Sequence, residues 1–401
     1  MKVMILGMDG YLGWSLALHL SAKGHTVGGL DNYMRRSWVT KMRSVSAMPI
    51  ETIGNRLAAF GQHFESPDFR EISMDDYPAL CTFLQEFQPD AIVHLAECPS
   101  APYSMQGVHE AAFVMRNNVV GTLYLLYAMR DYAPDAHLIK LGTMGEYGTP
   151  DIDIPEGFFE IEYRGRKDKL SFPRKAGSWY HWTKVHDSMN INFACDIWGL
   201  RSTDIMQGVV YGTWIEAMGY DHRLRTRVDF DESFGTVINR FVCQAIVGHP
   251  LTIFGNIGKQ TRGFLPLHDS MQCLTLAIEN PPDGGEYRVF NQFEETYSVI
   301  ELAKVVQEMG NLHDLDVKIG HYDTPRIEVQ EHYYNPDHDN LMKLGYEPDH
   351  DMKRVVGAML EDLIPFRERI MNHADALVPE IRWSGPRRKS VLLRTPKGAD
   401  K

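Results

Sequence analysis

The sequence predicts a doubly wound α/β fold, a parallel sheet with helices on both faces, interleaved with a smaller second domain. Three observations carry this. Short apolar runs recur with enough chain between them for crossover helices, a glycine triplet stands at the first strand-to-helix turn, and the alternation breaks after Gly212 and resumes near Tyr287.

The elements follow in order. Val3-Met4-Ile5-Leu6 reads as a buried strand, Gly7, Gly10 and Gly13 as the turn, residues 14–22 as a helix, and residues 25–31 as the second strand. Further strands are expected at 90–95, 137–141 and 201–206, and helices at 77–87, 108–132 and 180–198, the last closed by Gly199 as a left-handed cap. Beyond Gly212 the chain mixes aromatic, charged and short apolar pieces before a helix near 235–247. Tyr287-Arg288-Val289-Phe290-Asn291 reads as a strand returning to the main sheet, followed by a helix over 298–309 with Ser298 as N-cap. The expected division is therefore a nucleotide-binding domain over 1–212, rejoined by 262–297, a substrate domain from 213–261 and 298–380, and a basic tail over 381–401. That tail carries seven Lys/Arg against one Asp.

Composition narrows the function. A chain of 401 residues with 44% hydrophobic residues can bury one large or two interlocked cores. A net charge of −12 opposes a nucleic-acid partner. Cys81, Cys98, Cys195, Cys243 and Cys273 are odd in number and widely spaced, which fits a reducing cytoplasm better than a disulfide frame or a structural zinc site. The opening MKVMILG lacks the pattern of a leader, and no apolar run reaches roughly 18 residues, so neither export nor membrane insertion is expected. His321, His332 and His338 have no ligand-pair spacing, and no metal is assigned.

Gly7-Met8-Asp9-Gly10-Tyr11-Leu12-Gly13 lets backbone approach a pyrophosphate at a helix N-terminus. Asp31, at the end of the second strand, is placed to accept hydrogen bonds from ribose hydroxyls and to repel a 2′-phosphate, so the expected cofactor is NAD. Asn32, Arg35 and Arg36 follow directly, and the two arginines weaken that preference. Tyr180 and Lys184 fall at i and i+4 of one helix face. A phenol is a poor base at neutral pH, but a neighbouring ammonium and a positive nicotinamide ring favour its phenolate, which could then take a proton from a hydroxyl. Thr143, just after the strand ending at Leu141, offers a hydroxyl to the same oxygen. A non-catalytic NAD-binding sensor is opposed by the joint presence of Thr143, Tyr180 and Lys184. Cys98 reads as a small buried thiol, since no base is assigned to it.

With Asn118-Val119-Val120-Gly121-Thr122, these residues resemble the extended short-chain dehydrogenase/reductase family, which includes sugar-nucleotide epimerases and dehydratases. Longer runs are similar to its UDP-sulfoquinovose synthase branch over nearly the whole chain: residues 100–105, 141–150, 184–188, 207–212, 260–263 and 331–335. The resemblance implies a Rossmann domain holding NAD through the glycine loop, Asp31, Leu95, Asn118, Tyr180, Lys184 and Gln207. It also implies a sugar-nucleotide or nucleoside substrate near Cys98, Ser100, Met144, Gly145, Glu146, Gln207, Gln260 and Arg262, with Arg326 as a pyrophosphate clamp. The implied reaction is oxidation at C4 of the sugar, loss of the C5 proton with the C6 hydroxyl as water, and addition of sulfite to the exocyclic alkene. The implied assembly is a homodimer or homotetramer.

Thr143-Met144-Gly145 replaces the Thr-Asp-Glu of ordinary 4,6-dehydratases, so His181 and Glu97 become the candidates for elimination chemistry. Glu97-Cys98-Pro99 departs from the branch's Glu-Gln-Arg, and Leu265-Pro266-Leu267-His268-Asp269 from its Leu-Asp-Ile-Arg-Asp. Ser73 stands where an aspartate commonly contacts adenine. Losing two arginines keeps open a dehydratase that does not add sulfite, and the same residues also suit a 4-epimerase.

Overall fold

The computed structural model describes residues 1–255, 258–323 and 331–383. Its main sheet has seven strands, β1 (Lys2–Leu6), β2 (Thr26–Asp31), β3 (Asp68–Glu71), β4 (Ala91–His94), β5 (His137–Leu141), β6 (Arg201–Gln207) and β7 (Tyr287–Gln292). They lie in the order β3-β2-β1-β4-β5-β6-β7, and every neighbouring pair is parallel. The order in which strands are added reverses between β1 and β4, and the cleft at the strand C-termini opens there.

Alternation along β1 explains the two-sided burial. Val3 and Ile5 pack with Trp14, Leu16 and Leu20 on one face, whereas Met4 and Leu6 pack with Leu80, Leu84 and Leu125 on the other. Helix α1 (Tyr11–Ala22) follows the glycine turn, and α2 (Trp179–Trp198) is capped by Ser178, whose side chain accepts the His181 N–H, and ended by Gly199 at φ 71°. Helix α3 (Leu267–Glu279) leads back toward β7.

Three features differ from the sequence reading. β3 was not expected: its four residues, Asp-Phe-Arg-Glu, are partly exposed at the sheet edge and have no apolar run. The expected helix over 108–132 is interrupted by a π-helical turn, Arg116–Val120, which directs Asn118 to the Cys98 backbone and to Thr183. An antiparallel hairpin pairs Phe158–Tyr163 with Arg166–Ser171, turning through Arg164 and Gly165, both at positive φ.

Beyond β6 a smaller sheet joins Val209–Tyr211 in parallel to Thr261–Pro266, which pairs antiparallel with Glu295–Ser298. A separate apolar cluster gathers the helices Val237–Val247, Val299–Leu312 and Met352–Leu363. Ser298 and Glu301 form a reciprocal capping box at the second of these. Among the described residues, no helix is long and apolar enough to cross a membrane.

Candidate active site

Backbone geometry shapes one end of the cleft. Gly7 has φ +87°, and a side chain there would press on the Leu95 carbonyl, while one on Gly13 would collide with the Gly7 oxygen. Gly7 and Met8 both donate to the Leu30 carbonyl, so the turn is tied to β2. Gly7, Gly10, Tyr11, Leu12 and Gly13 consequently line a cavity of about 310 Å³ at the N-terminus of α1, within the usual range of small-molecule sites.

Asp31 and Asn32 line this end too. The Asp31 carboxylate accepts the N–H groups of Asp9 at 2.9 Å and Tyr33 at 2.7 Å. Burial and the Asp9 charge nevertheless push its pKa up to about 6.

Asp9 and Arg36, both expected to contact cofactor, do not line the cavity. Asp9 is buried and takes two hydrogen bonds from Arg36, at 2.7 and 2.8 Å, and another from the fully buried Arg56. Burial alone would raise the Asp9 carboxyl, but the Arg36 hydrogen bond and the two guanidinium charges hold it below the usual range. Arg35 does reach the cavity, stacked 4.5 Å over Phe234 and bonded to Asp229 at 2.8 Å.

The ends of β4 and β5 and the first turns of α2 form the other end. Leu95, Glu97, Thr143, Tyr180, Lys184 and Gln207 all line it. Lys184 Nζ lies 2.5 Å from both the Leu141 carbonyl and Glu97 Oε2. His94 Nε2 is 3.7 Å from Glu97, and burial pulls its pKa down to about 4. Burial first, and then the Glu97 charge, hold the Tyr180 phenol well above its ordinary value. Thr143 caps a short 3-10 turn, accepting the Gly145 N–H at 3.2 Å. Gln207 is oriented by hydrogen bonds to Gln292 and Ser270.

Of the other expected residues, those that the structure describes do not line this cavity. Asn118 is buried and braces Cys98, whose thiol is pushed up by burial. Ser100 donates to the Ser233 carbonyl and caps Tyr103. Met144 packs in the core, and Gly145 leaves room for the His181 ring, which Ser178 holds at 3.0 Å. Glu146 is fully buried against Lys140 and Ser188. Gln260 is buried, with its carbonyl accepting the Val299 N–H, and Arg262 donates to the Thr261 carbonyl and lies 3.0 Å from His332. Arg326 and most of the basic tail lie outside the described residues. Ser73 accepts from Asn32 at 3.0 Å.

The sequence reading passed over the segment 227–239. Arg227, Asp229, Phe234, Thr236 and Asn239 complete the cavity, with Asp229 accepting from both Arg35 and Arg227. The Arg-Val-Asp alternation before the Thr236 N-cap was its visible signal, but nothing local indicates what the segment faces.

A phenol, an ammonium and a hydroxyl at one end of a cleft floored by glycine backbone at the other can exchange a proton with a substrate hydroxyl beside a dinucleotide. UDP-sulfoquinovose synthase of Sulfolobus acidocaldarius is 45% identical over 388 residues, covering 96% of this chain and 98% of its own. The chloroplastic UDP-sulfoquinovose synthase of Spinacia oleracea is 44% identical over 98% of this chain and 81% of its own. Among solved structures, UDP-glucose 4-epimerase of Thermotoga maritima matches with TM-score 0.67 at 20% identity, covering 92% of this chain and 100% of its own, a likeness of fold. The NAD dependent epimerase/dehydratase family profile matches residues 3–291, and the chain belongs to that family.

Proposed function

We propose that this protein is an NAD-dependent enzyme that transforms a UDP-sugar as UDP-sulfoquinovose synthases do. The observation that carries the reading is the 45% identity over 96% of the chain to a synthase, with Thr143, Tyr180 and Lys184 gathered on one cavity wall. The cradle fits the cofactor: the tight turn that side chains at Gly7 or Gly13 would break leaves glycine backbone lining the cavity for a pyrophosphate, and the Asp31 carboxylate lines it where it could accept from ribose hydroxyls. Bound NAD would supply a hydride acceptor that later gives the hydride back to the sugar, and its positive nicotinamide ring would favour the Tyr180 phenolate.

Tyr180 takes the proton of the sugar hydroxyl as it is oxidised, and Thr143 holds the same oxygen. Lys184 stabilises the phenolate in a site too buried to ionise unaided. Of the two elimination candidates, Glu97 lines the cavity beside Lys184 and can take the C5 proton and deliver it to the C6 oxygen, which leaves as water, whereas the His181 ring lies against Gly145. Arg35 and Arg227 line the cavity and share the buried Asp229, which leaves one net positive charge and the Arg227 Nη1 without a hydrogen-bond partner to meet an anion. Pro99 also lines the cavity, a position where the resembling branch has arginine, and this favours the second reading, elimination without sulfite addition.

We also propose a homodimer through the exposed faces of Gly121–Tyr132 and α2, where Leu123, Tyr127, Phe193 and Ile197 are open to solvent.

The test is incubation of the NAD-loaded protein with UDP-glucose, with and without sulfite, in deuterated water, read by mass spectrometry and NMR. A sulfonated hexose nucleotide supports the first reading. Water loss without sulfonation supports the second, and no turnover of UDP-glucose overturns both for that sugar. Tyr180→Phe is expected to lower any observed rate by roughly 10²–10⁴-fold. An unchanged rate would remove Tyr180 from the mechanism.

A further inference from the structure

Away from the cavity, three side chains from two distant segments converge on one carboxylate. His268 and Asp269 occupy the first turn of α3, and His350 immediately precedes the N-cap of the helix Met352–Leu363. One ligand atom from each lies within 4.8 Å of the others. His268 Nδ1 is 3.4 Å from Asp269 Oδ1, and His350 Nδ1 is 3.5 Å from the same oxygen. Asp269 is fully buried, its Oδ2 has no hydrogen-bond partner, and His350 Nδ1 has none either.

These separations are long for hydrogen bonds, whose ordinary N···O range is about 2.7–3.2 Å. They match a shared metal ion. Ligands about 2.0–2.2 Å from a tetrahedral zinc lie about 3.4 Å from one another. The two imidazole rings, 4.5 Å apart, are close for a pair of cations but suit two neutral ligands of one dication. A buried carboxylate with an open oxygen also requires compensation, which a metal ion supplies directly.

We propose that His268, Asp269 and His350 form a binding site for a divalent transition metal of the zinc class, with its remaining coordination open to water. The site clamps α3 to the segment entering Met352–Leu363, next to the pair of hydrogen bonds between Gln272 and Glu347. Ser270, the residue after Asp269, bonds Gln207 in the cavity wall, so the metal ion stiffens that wall without touching substrate. The proposal stands independently of the reaction assigned above.

The test uses the full chain stripped with a chelator. Zinc chloride is titrated by calorimetry, and cobalt chloride is followed by visible absorption. One zinc per chain is expected, with a raised melting temperature and a ligand-field band from bound cobalt. In His268→Arg and in His350→Ala, binding is expected to weaken at least about 100-fold, while His321→Ala, an exposed control, is unaffected. Both replaced histidines are partly exposed, and melting of the metal-free variants at the wild-type temperature establishes that they fold. Absence of binding at micromolar zinc, or equal binding by the wild type and both variants, overturns the proposal.

Discussion

Lys140 and Lys184 are both buried, on neighbouring elements, yet their surroundings differ in kind. Lys140 Nζ, on β5, reaches Glu146 at 2.9 Å, Ser188 at 2.7 Å, Asp204 at 3.1 Å and the Lys184 carbonyl at 3.1 Å, with no exposed face. Burial would lower its pKa, but the Asp204 and Glu146 carboxylates outweigh that and raise it. Lys184 holds one carbonyl and one carboxylate and keeps a face on the cavity. The comparison separates a charge that braces from a charge that can act: full enclosure by fixed partners gives rigidity, and an open side gives chemistry. Lys140 also grips the backbone of Lys184, so the bracing cluster positions the lysine that faces the cavity.

Four substitutions sharpen or break this contrast. Lys140→Met strands Glu146 and Asp204 in the interior and is expected to cost about 3–5 kcal/mol, read by urea unfolding. A loss under about 1 kcal/mol would mean that the cluster is not a brace. Lys184→Met is expected to reduce turnover by about 10²–10³-fold with a smaller shift in the unfolding midpoint, because only Glu97 loses its charge partner. Equal damage to stability from the two lysine variants would erase the distinction.

Glu97→Gln is subtler. Removing a negative charge beside the Tyr180 phenol makes its phenolate easier to form, so the acid limb of the kcat/KM profile for oxidation is expected to move to lower pH. A limb that stays in place would uncouple Glu97 from Tyr180. At the other extreme, Arg70 joins Asp68 and Glu86 on the surface, and Arg70→Ala is expected to change stability by no more than about 0.5 kcal/mol in thermal or urea melts.

Local chemistry made much of the architecture legible. The glycine turn, the Ser298 cap and the Gly199 stop each declare themselves within a few residues, and the parallel strands show as apolar runs. β3 escaped because an exposed edge strand needs no apolar alternation, and the π-helical turn because the contacts it gives Asn118, with Cys98 and Thr183, are long-range. At the site, Tyr180, Lys184 and Thr143 were readable by type and spacing, and they share the cavity. The positions of Asp9, Glu146 and Asn118 were not, because Arg56, Lys140 and Thr183 reach them through folding in space and no spacing rule connects them. The cavity face of 227–239 was invisible for the same reason.

The place of β7 bears on synthesis. It pairs with β6 from Tyr287 opposite Ser202 to Gln292 opposite Gln207, although the rest of the cavity-closing segment is made between them. A nascent chain that has emerged only through Gly212 therefore carries β6 as an open edge, able to pair with another chain, until some eighty further residues have left the ribosome. The interleaving that completes the cavity thus imposes a waiting period during translation, in which a chaperone holding that edge would raise the yield of folded protein.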